Sequence, residues 1–303
     1  MMEQNTEFDV IIIGGSYAGL SAGMALGRSL RKVLIIDAGK PCNRQTPHSH
    51  NFITQDGQPP KQIAEAAKDQ VLKYNTVSFR EDVVVCGSKT ESGFTIDTQS
   101  GASFTASKLL FATGLSDQMP AIKGFAECWG ISVLHCPYCH GYEVKHQSTG
   151  LIVNGDMAFE FTRLISNWTK DLTLFTNGKS TLNSEQIDKI KQHHIEIIET
   201  EIAEIQHQDG YVRNVIFKDG SNQKVSAIFA KIGFKQHCEL PEQFGCEINE
   251  QGFIRVDDLQ RTTVPGIYAA GDNTTMARSV AVAVAGGTKS GSFLNKELID
   301  ETF

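Results

Sequence analysis

Apolar runs and the breaks between them divide this chain into alternating units. Residues 8–13, FDVIII, form an apolar, β-branched run of the kind that a parallel strand covered on both faces displays. Gly14-Gly15-Ser16 ends it. The Ala/Gly/Leu/Met-rich stretch 18–27 predicts a helix packed closely on a sheet, and KVLIID at 32–37 predicts a second buried strand. Together they make a βαβ unit. PHSHNFITQDGQPP at 47–60 reads as loop, and PKQIAEAAKDQVLKY at 60–74 as an amphipathic helix. Residues 78–107 predict short alternating strands with turns, and KLLFATG at 108–114 a further buried strand ending in small residues. The plan then recurs. STGLIVNGDMAFEFTRLISNW reads as strand, turn and helix, DLTLFTNG as a strand, and roughly 183–194 as a helix. Residues 195–234 alternate like strands with glycine turns, and the segment from GIYAAGD onward reads as a strand followed by a small-residue-rich helix. The expected fold class is α/β: two units of similar plan, one interrupting the other.

Composition narrows the partners. The 303 residues are 40% hydrophobic and 21% charged, with a formal net charge of -7, which describes an ordinary globular chain. No Lys/Arg cluster stands out, so nucleic acid is not an expected partner. The opening stretch MMEQNTEFDV lacks the basic and apolar regions of an export signal, and the apolar runs are too short to span a bilayer. The expected location is therefore the cytoplasm, with no membrane partner. Of seven cysteines, Cys42, Cys86, Cys128, Cys238 and Cys246 are scattered, and most of them read as small buried hydrophobes. Only Cys136 and Cys139 form a close pair, which in a reducing compartment points to catalysis or metal.

Two motifs carry chemistry. Gly14-Gly15-Ser16-Tyr17-Ala18-Gly19 lies after a strand and before a helix, where a dinucleotide fingerprint belongs. The helix N-terminus offers free N–H groups to phosphates, and Asp37, at the end of the second strand, is placed to accept from ribose hydroxyls. Ser16 stands where the middle glycine is usual. In the second unit the equivalent positions hold Val153, Gly155 and Ala158, and Asp156 adds negative charge beside the expected pyrophosphate. The strand that follows, ending LFTNGKS, has no arginine pair for a 2′-phosphate. Binding of a nicotinamide nucleotide there is doubtful.

Cys136-Pro137-Tyr138-Cys139-His140 fits three patterns: a c-type haem attachment, half of a zinc site, or a redox dithiol. Haem attachment is a feature of exported proteins. A zinc site needs further ligands, and Cys238 and Cys246 do not form a second pair at ligand spacing, although His135 and His140 flank the first. In the dithiol reading His140 is a candidate acid/base. Glu143 either orients a histidine or is a solvated carboxylate. His48 and His50 either line a substrate pocket or are plain loop residues.

IIIGGSYAGLSAGMALG, LLFATG, CPYCHGYE and VPGIYAAGD, in this order and over nearly the whole chain, resemble the low-molecular-weight thioredoxin reductase family of FAD-dependent pyridine nucleotide-disulfide oxidoreductases. The resemblance implies two Rossmann-like three-layer domains. The FAD domain would be discontinuous (1–117 and 246–303) around a smaller, nucleotide-binding-like domain (118–245) that carries the Cys pair. It implies FAD at Gly14, Gly15, Ser16, Ala18, Gly19, Asp37, Val83, Ala112, Thr113, Gly114, Gly271, Asp272 and Val280, no metal, and a homodimer. It gives Cys139 the place nearest the flavin and Cys136 the meeting with substrate, a dithiol or disulfide that is a small molecule or a protein. Two departures stand out: His140 where reductases have Asp, and the damaged second fingerprint. With HSHNFITQDGQPP, they resemble the branch containing the gliotoxin and holomycin dithiol oxidases. The expected function is thus FAD-dependent dithiol–disulfide exchange in the oxidase direction, with oxygen or another non-nicotinamide acceptor. An NAD(P)H-dependent thioredoxin reductase is the alternative, and a flavin-binding module without turnover is a second.

Overall fold

The computed structural model describes residues 6–303; Met1–Asn5, part of the stretch read for an export signal, lie outside them. The chain packs as two compact units. Met1–Arg44, Gln58–Ser116 and Phe234–Phe303 form the first, and Gln45–Gly57 with Asp117–Gly233 the second. These divisions differ from 117/118 and 245/246 for identifiable reasons. Leu240 and Cys246 are buried in the core of the first unit, which draws Phe234 onward into it. The Gln45 side chain donates to the Trp129 carbonyl at 2.7 Å, fastening its loop to the second unit.

The first unit is built on a seven-stranded sheet. Strand Glu7–Ile13 pairs in parallel with Val33–Asp37 on one side and Ser103–Phe111 on the other, and Val33–Asp37 pairs with Val77–Glu81. The two apolar stretches expected as separate elements near 103–114 are one strand, Ser103–Phe111. Its outer edge explains the change of pattern. Residues 103–106 pair antiparallel with Phe94–Thr98 of a hairpin, whereas 109–111 pair in parallel with the returning strand Ile267–Ala269. Burial accordingly alternates in the first half and is continuous in the second. Helix Tyr17–Arg28 packs against the long helix Val280–Asp300. A Cβ on Gly287 would stand 2.0 Å from the Ala18 carbonyl oxygen, so the small residues of the last helix are what let these two axes approach. Buried Lys108 lies on the Ser103–Phe111 strand and pairs with Glu297, at 2.7 Å, and with Glu301 of that helix. Burial alone would push its ammonium toward neutrality, but the two carboxylates win and its pKa is raised.

The second unit repeats the plan at smaller scale. Its parallel sheet runs in the order Glu196–Ile198, Leu172–Phe175, Thr149–Ile152, Ala227–Ala230, Val133–Leu134. Successive residues serve opposite faces. Val133 and Ile228 pack with Ile205, Val215 and Phe217 of an antiparallel layer formed by Ile202–Gln208, Tyr211–Phe217 and Asn222–Gln223. Leu134 and Phe229 pack with Ala158, Phe161, Ile165 and Ile190 of helices Asp156–Ile165 and Ser184–Gln192. Each unit is thus a layered α/β body with parallel strands at the centre of its sheet.

Candidate active site

In the first unit the fold gathers most of the expected cofactor residues at the carboxyl ends of the parallel strands, where open α/β sheets bind ligands. Gly14 follows the first strand with φ 104°. A Cβ there would lie 2.2 Å from the Ala112 carbonyl oxygen, so only glycine lets the first turn run against Ala112-Thr113-Gly114. Ala112 N–H donates to the Ile13 carbonyl at 2.8 Å, joining the two turns. Ser16 has φ −89°, a conformation open to any residue, which is why a side chain is tolerated at the usual middle glycine. It precedes the twelve-residue helix that carries Ala18 and Gly19; its side chain does not cap that helix, and no acid lies in the first turn. Asp37 accepts from Gly15 N–H at 2.8 Å through one carboxylate oxygen and from Gly39 N–H at 3.0 Å through the other.

Gly271 and Asp272 follow the returning strand, and Asp272 faces Arg278 at 3.5 Å. Asn273, which the sequence reading passed over, is fully buried and donates to the Phe111 carbonyl at 2.9 Å and toward Thr113 at 3.4 Å. Nothing local marks it; only the fold brings residues 162 positions apart together. Val280 opens the last helix, where Ser279 caps Val282 N–H at 3.2 Å. Val83 follows Asp82, whose N–H donates to the Asp37 carbonyl at 3.0 Å; the Val83 N–H donates to the Asp82 side chain at 2.8 Å and its carbonyl accepts from Gln99 at 2.8 Å. An acid-free helix N-terminus on a glycine turn, an acid at the second strand end and the close-packed turn at 112–114 fit the pyrophosphate and ribose of FAD.

The second unit treats the same motif differently. Asp156 is the first residue of its helix, so the positive helix end already carries a carboxylate. The Asn154 side chain accepts from Gly155 N–H at 2.9 Å and donates to the Lys179 carbonyl at 2.9 Å. Glu199 accepts from Ser180 N–H at 2.9 Å. This turn therefore carries a carboxylate at the helix end, and its Gly155 and Ser180 N–H groups are bonded to Asn154 and Glu199.

Cys136 and Cys139 form a disulfide, with Cα atoms 5.3 Å apart. Cys136 is the N-cap of the one-turn helix Pro137–His140, and its sulfur accepts from Cys139 N–H at 3.2 Å. Proline at the first helical position suits this turn, since its missing N–H would be unpaired there in any case. Trp168 supports it: Tyr138 packs edge-on at 5.6 Å, and a Cβ on Gly141 would come within 2.8 Å of the indole nitrogen. Tyr138 and Trp168 also line a pocket of about 730 Å³ with Met157, Phe161 and Leu164.

His140 is held down to about 4, first by burial and then by the neighbouring His50. It is therefore a neutral imidazole at ordinary pH. His50 lies at 6.3 Å, ring to ring and perpendicular. Its Nδ1 is 3.6 Å from Asp56 and 3.6 Å from Glu143, so Glu143 faces a histidine. Among the described residues no group of three or more His, Cys, Asp or Glu is arranged to hold a metal ion, and no helix is long and apolar enough to cross a membrane.

Comparison with known proteins places the chain. The family model described as pyridine nucleotide-disulphide oxidoreductase matches residues 8–287. Thioredoxin reductase tcpT of Claviceps purpurea (strain 20.1) is 30% identical over 311 residues, spanning 98% of this chain and 96% of the relative. The crystal structure of an oxidoreductase from Agrobacterium tumefaciens superposes with a TM-score of 0.91 at 35% identity, over 97% of this chain and 99% of that one. The crystal structure of HlmI does so with a TM-score of 0.92 at 29% identity, over 100% of this chain and 95% of that one. The chain belongs to the pyridine nucleotide-disulphide oxidoreductase family and is an FAD-dependent disulfide oxidoreductase.

Proposed function

We propose that the enzyme oxidises a substrate dithiol to a disulfide through Cys136 and Cys139, with His140 moving the proton, and passes the electrons to oxygen or another non-nicotinamide acceptor. The observation that carries the direction is the second-unit turn, where Asp156 heads the helix and Asn154 and Glu199 take the backbone donors that a nucleotide would need. In this reading the Cys pair waits as a disulfide. The first substrate thiol gives its proton to neutral His140. Its sulfur bonds to Cys136 Sγ as the Cys136–Cys139 bond breaks, and Cys139 departs as a thiolate. The second substrate thiol then attacks the first substrate sulfur, closing the product disulfide, and its proton passes to Cys136 Sγ, which leaves as the reduced thiol. Two electrons have moved from substrate to the pair. Gly14, Gly15, Ser16, Ala18, Gly19, Asp37, Val83, Ala112, Thr113, Gly114, Gly271, Asp272 and Val280 would hold FAD, whose chemistry when bound would be to accept the two electrons from the reduced pair.

A cytoplasmic location and a homodimer belong to the same proposal; the family resemblance supports the homodimer, which sedimentation would test. The direction is tested by anaerobic mixing. A dithiol such as dithiothreitol should bleach the flavin absorbance, while micromolar NADPH or NADH should leave it, and air should restore it. Rapid bleaching by micromolar nucleotide would overturn the oxidase reading in favour of a thioredoxin reductase. A Cys139→Ser enzyme that still bleaches at the wild-type rate would leave only a flavin-binding module.

A further inference from the structure

The residues after the dithiol do not act alone. Loop 45–57 packs with the second unit and is hydrogen-bonded within itself. Gly57 N–H donates to the Ser49 carbonyl at 2.9 Å, closing the loop, and His48 Nδ1 lies 3.0 Å from the Gly57 carbonyl. Asn51 N–H donates to Asp56 Oδ1 at 2.8 Å. Asn51 and Thr54 hold left-handed backbone at φ 61° and 73°, which for a β-branched threonine persists only where surrounding contacts impose it. Ser49 is the buried residue of this loop, and the neighbouring His50 side chain is 19% exposed. The same Asp56 Oδ1 that accepts from Asn51 lies 3.6 Å from His50 Nδ1. Glu143, three residues beyond His140, reaches the same nitrogen from the dithiol segment. The titratable groups facing His50 are thus Asp56 and His48 from its own loop, and Glu143 and His140 from the segment after the cysteines.

We infer that His50 is a positioning residue of the dithiol centre: clasped at Nδ1 by Asp56 and Glu143, it sets the orientation and charge state of the His140 imidazole, and so governs the proton that exchange at Cys136–Cys139 must move. The inference rests on the dithiol reading above. Two carboxylates, each 3.6 Å from one nitrogen, act on the ring through charge at a distance just beyond hydrogen-bond length, and they favour this orientation of it. The perpendicular ring of His140 then meets it at a distance where charge on His50 disfavours charge on His140. Burial supplies the larger part of that effect and His50 the remainder. A proton taken by His140 from a substrate thiol is therefore held weakly and is easily given up again.

The test uses the FAD-loaded enzyme and two readouts. One is the NMR titration of the His140 ring in the oxidised protein, and the other is the pH profile of anaerobic bleaching by dithiothreitol. His50→Asn should raise the His140 midpoint, by about one pH unit or less, and move the acid limb of the profile the same way. Glu143→Gln should slow bleaching in the wild-type background and add nothing in His50→Asn, because it acts through His50. An unmoved His140 midpoint and an unmoved profile in His50→Asn would overturn the inference. So would an equal Glu143→Gln effect in both backgrounds. If His50→Asn does not retain flavin, Glu143→Gln alone decides: the His140 resonance must shift along with that of His50, and a shift confined to His50 refutes the coupling. The NMR titration needs no turnover, so it remains readable should nucleotide prove to be the electron donor.

Discussion

Neutral His140, the proton carrier of the proposed exchange, would tie function and stability together in one side chain. Its folded pKa of about 4 lies below the ordinary imidazole value of about 6.5. The stability that depends on keeping it neutral is therefore complete above about pH 6.5 and is lost as pH falls toward 4, up to roughly 3 kcal/mol in all. Urea denaturation at pH 7 and pH 4.5 should show that His140→Asn loses less stability on acidification than the wild type. The same variant should slow dithiol-driven flavin bleaching about 10²- to 10⁴-fold, the usual worth of a general acid or base. A second residue-scale test is Gly14→Ala. Its methyl meets the Ala112 carbonyl at 2.2 Å in a backbone conformation that L-residues avoid. It should cost about 1–3 kcal/mol or more, with loss of bound FAD read from the absorbance of the purified protein.

The elements that matter most are short turns held by longer ones. Helix Val280–Asp300 can lie against Tyr17–Arg28 only because Gly287 has no side chain. Gly287→Ala must push the helices apart, and with them the turns at Ser16 and Gly271. The expected result is a Tm lower by several degrees, on the scale of about 1–3 kcal/mol for an overpacked contact. FAD should bind more weakly, as measured by fluorescence titration of the apoprotein. The one-turn helix Pro137–His140 has no such length to stabilise it. It depends on Trp168 beneath Tyr138 and Gly141, a tryptophan that reads in the sequence only as the end of a helix. Glu143 was legible as an acid near a histidine, but its partner is His50 from a loop 93 positions earlier, and a chain read in order offers no means of choosing it.

At the scale of the molecule, the residues proposed to hold flavin and those proposed to exchange thiols lie in separate compact units, so mutation should separate the two. Cys139→Ser should purify with full flavin and fail to be bleached by dithiols. Gly14→Ala should lose flavin yet keep a Cys136–Cys139 disulfide that dithiothreitol reduces, as thiol titration would count. If both variants lost both properties, the units would not be independent bodies. Period, turn residues and motif order are local, and they determined the α/β class, the first βαβ unit, the glycine turn with Asp37, and the dithiol with its histidine. Hydrophobic periodicity reports the covering of a strand, and spacing reports the chemistry that a short segment can perform. Register, loop allegiance and the charge state of a buried group are set by residues distant in the chain. Only the tertiary structure therefore decided that Ser103–Phe111 is one strand with a divided edge, that residues 45–57 pack with the second unit, and that His140 is neutral beside a His50 held by Asp56 and Glu143. Each of those outcomes depends on which surfaces exclude water together, and that is a property of the packed chain rather than of any segment of it.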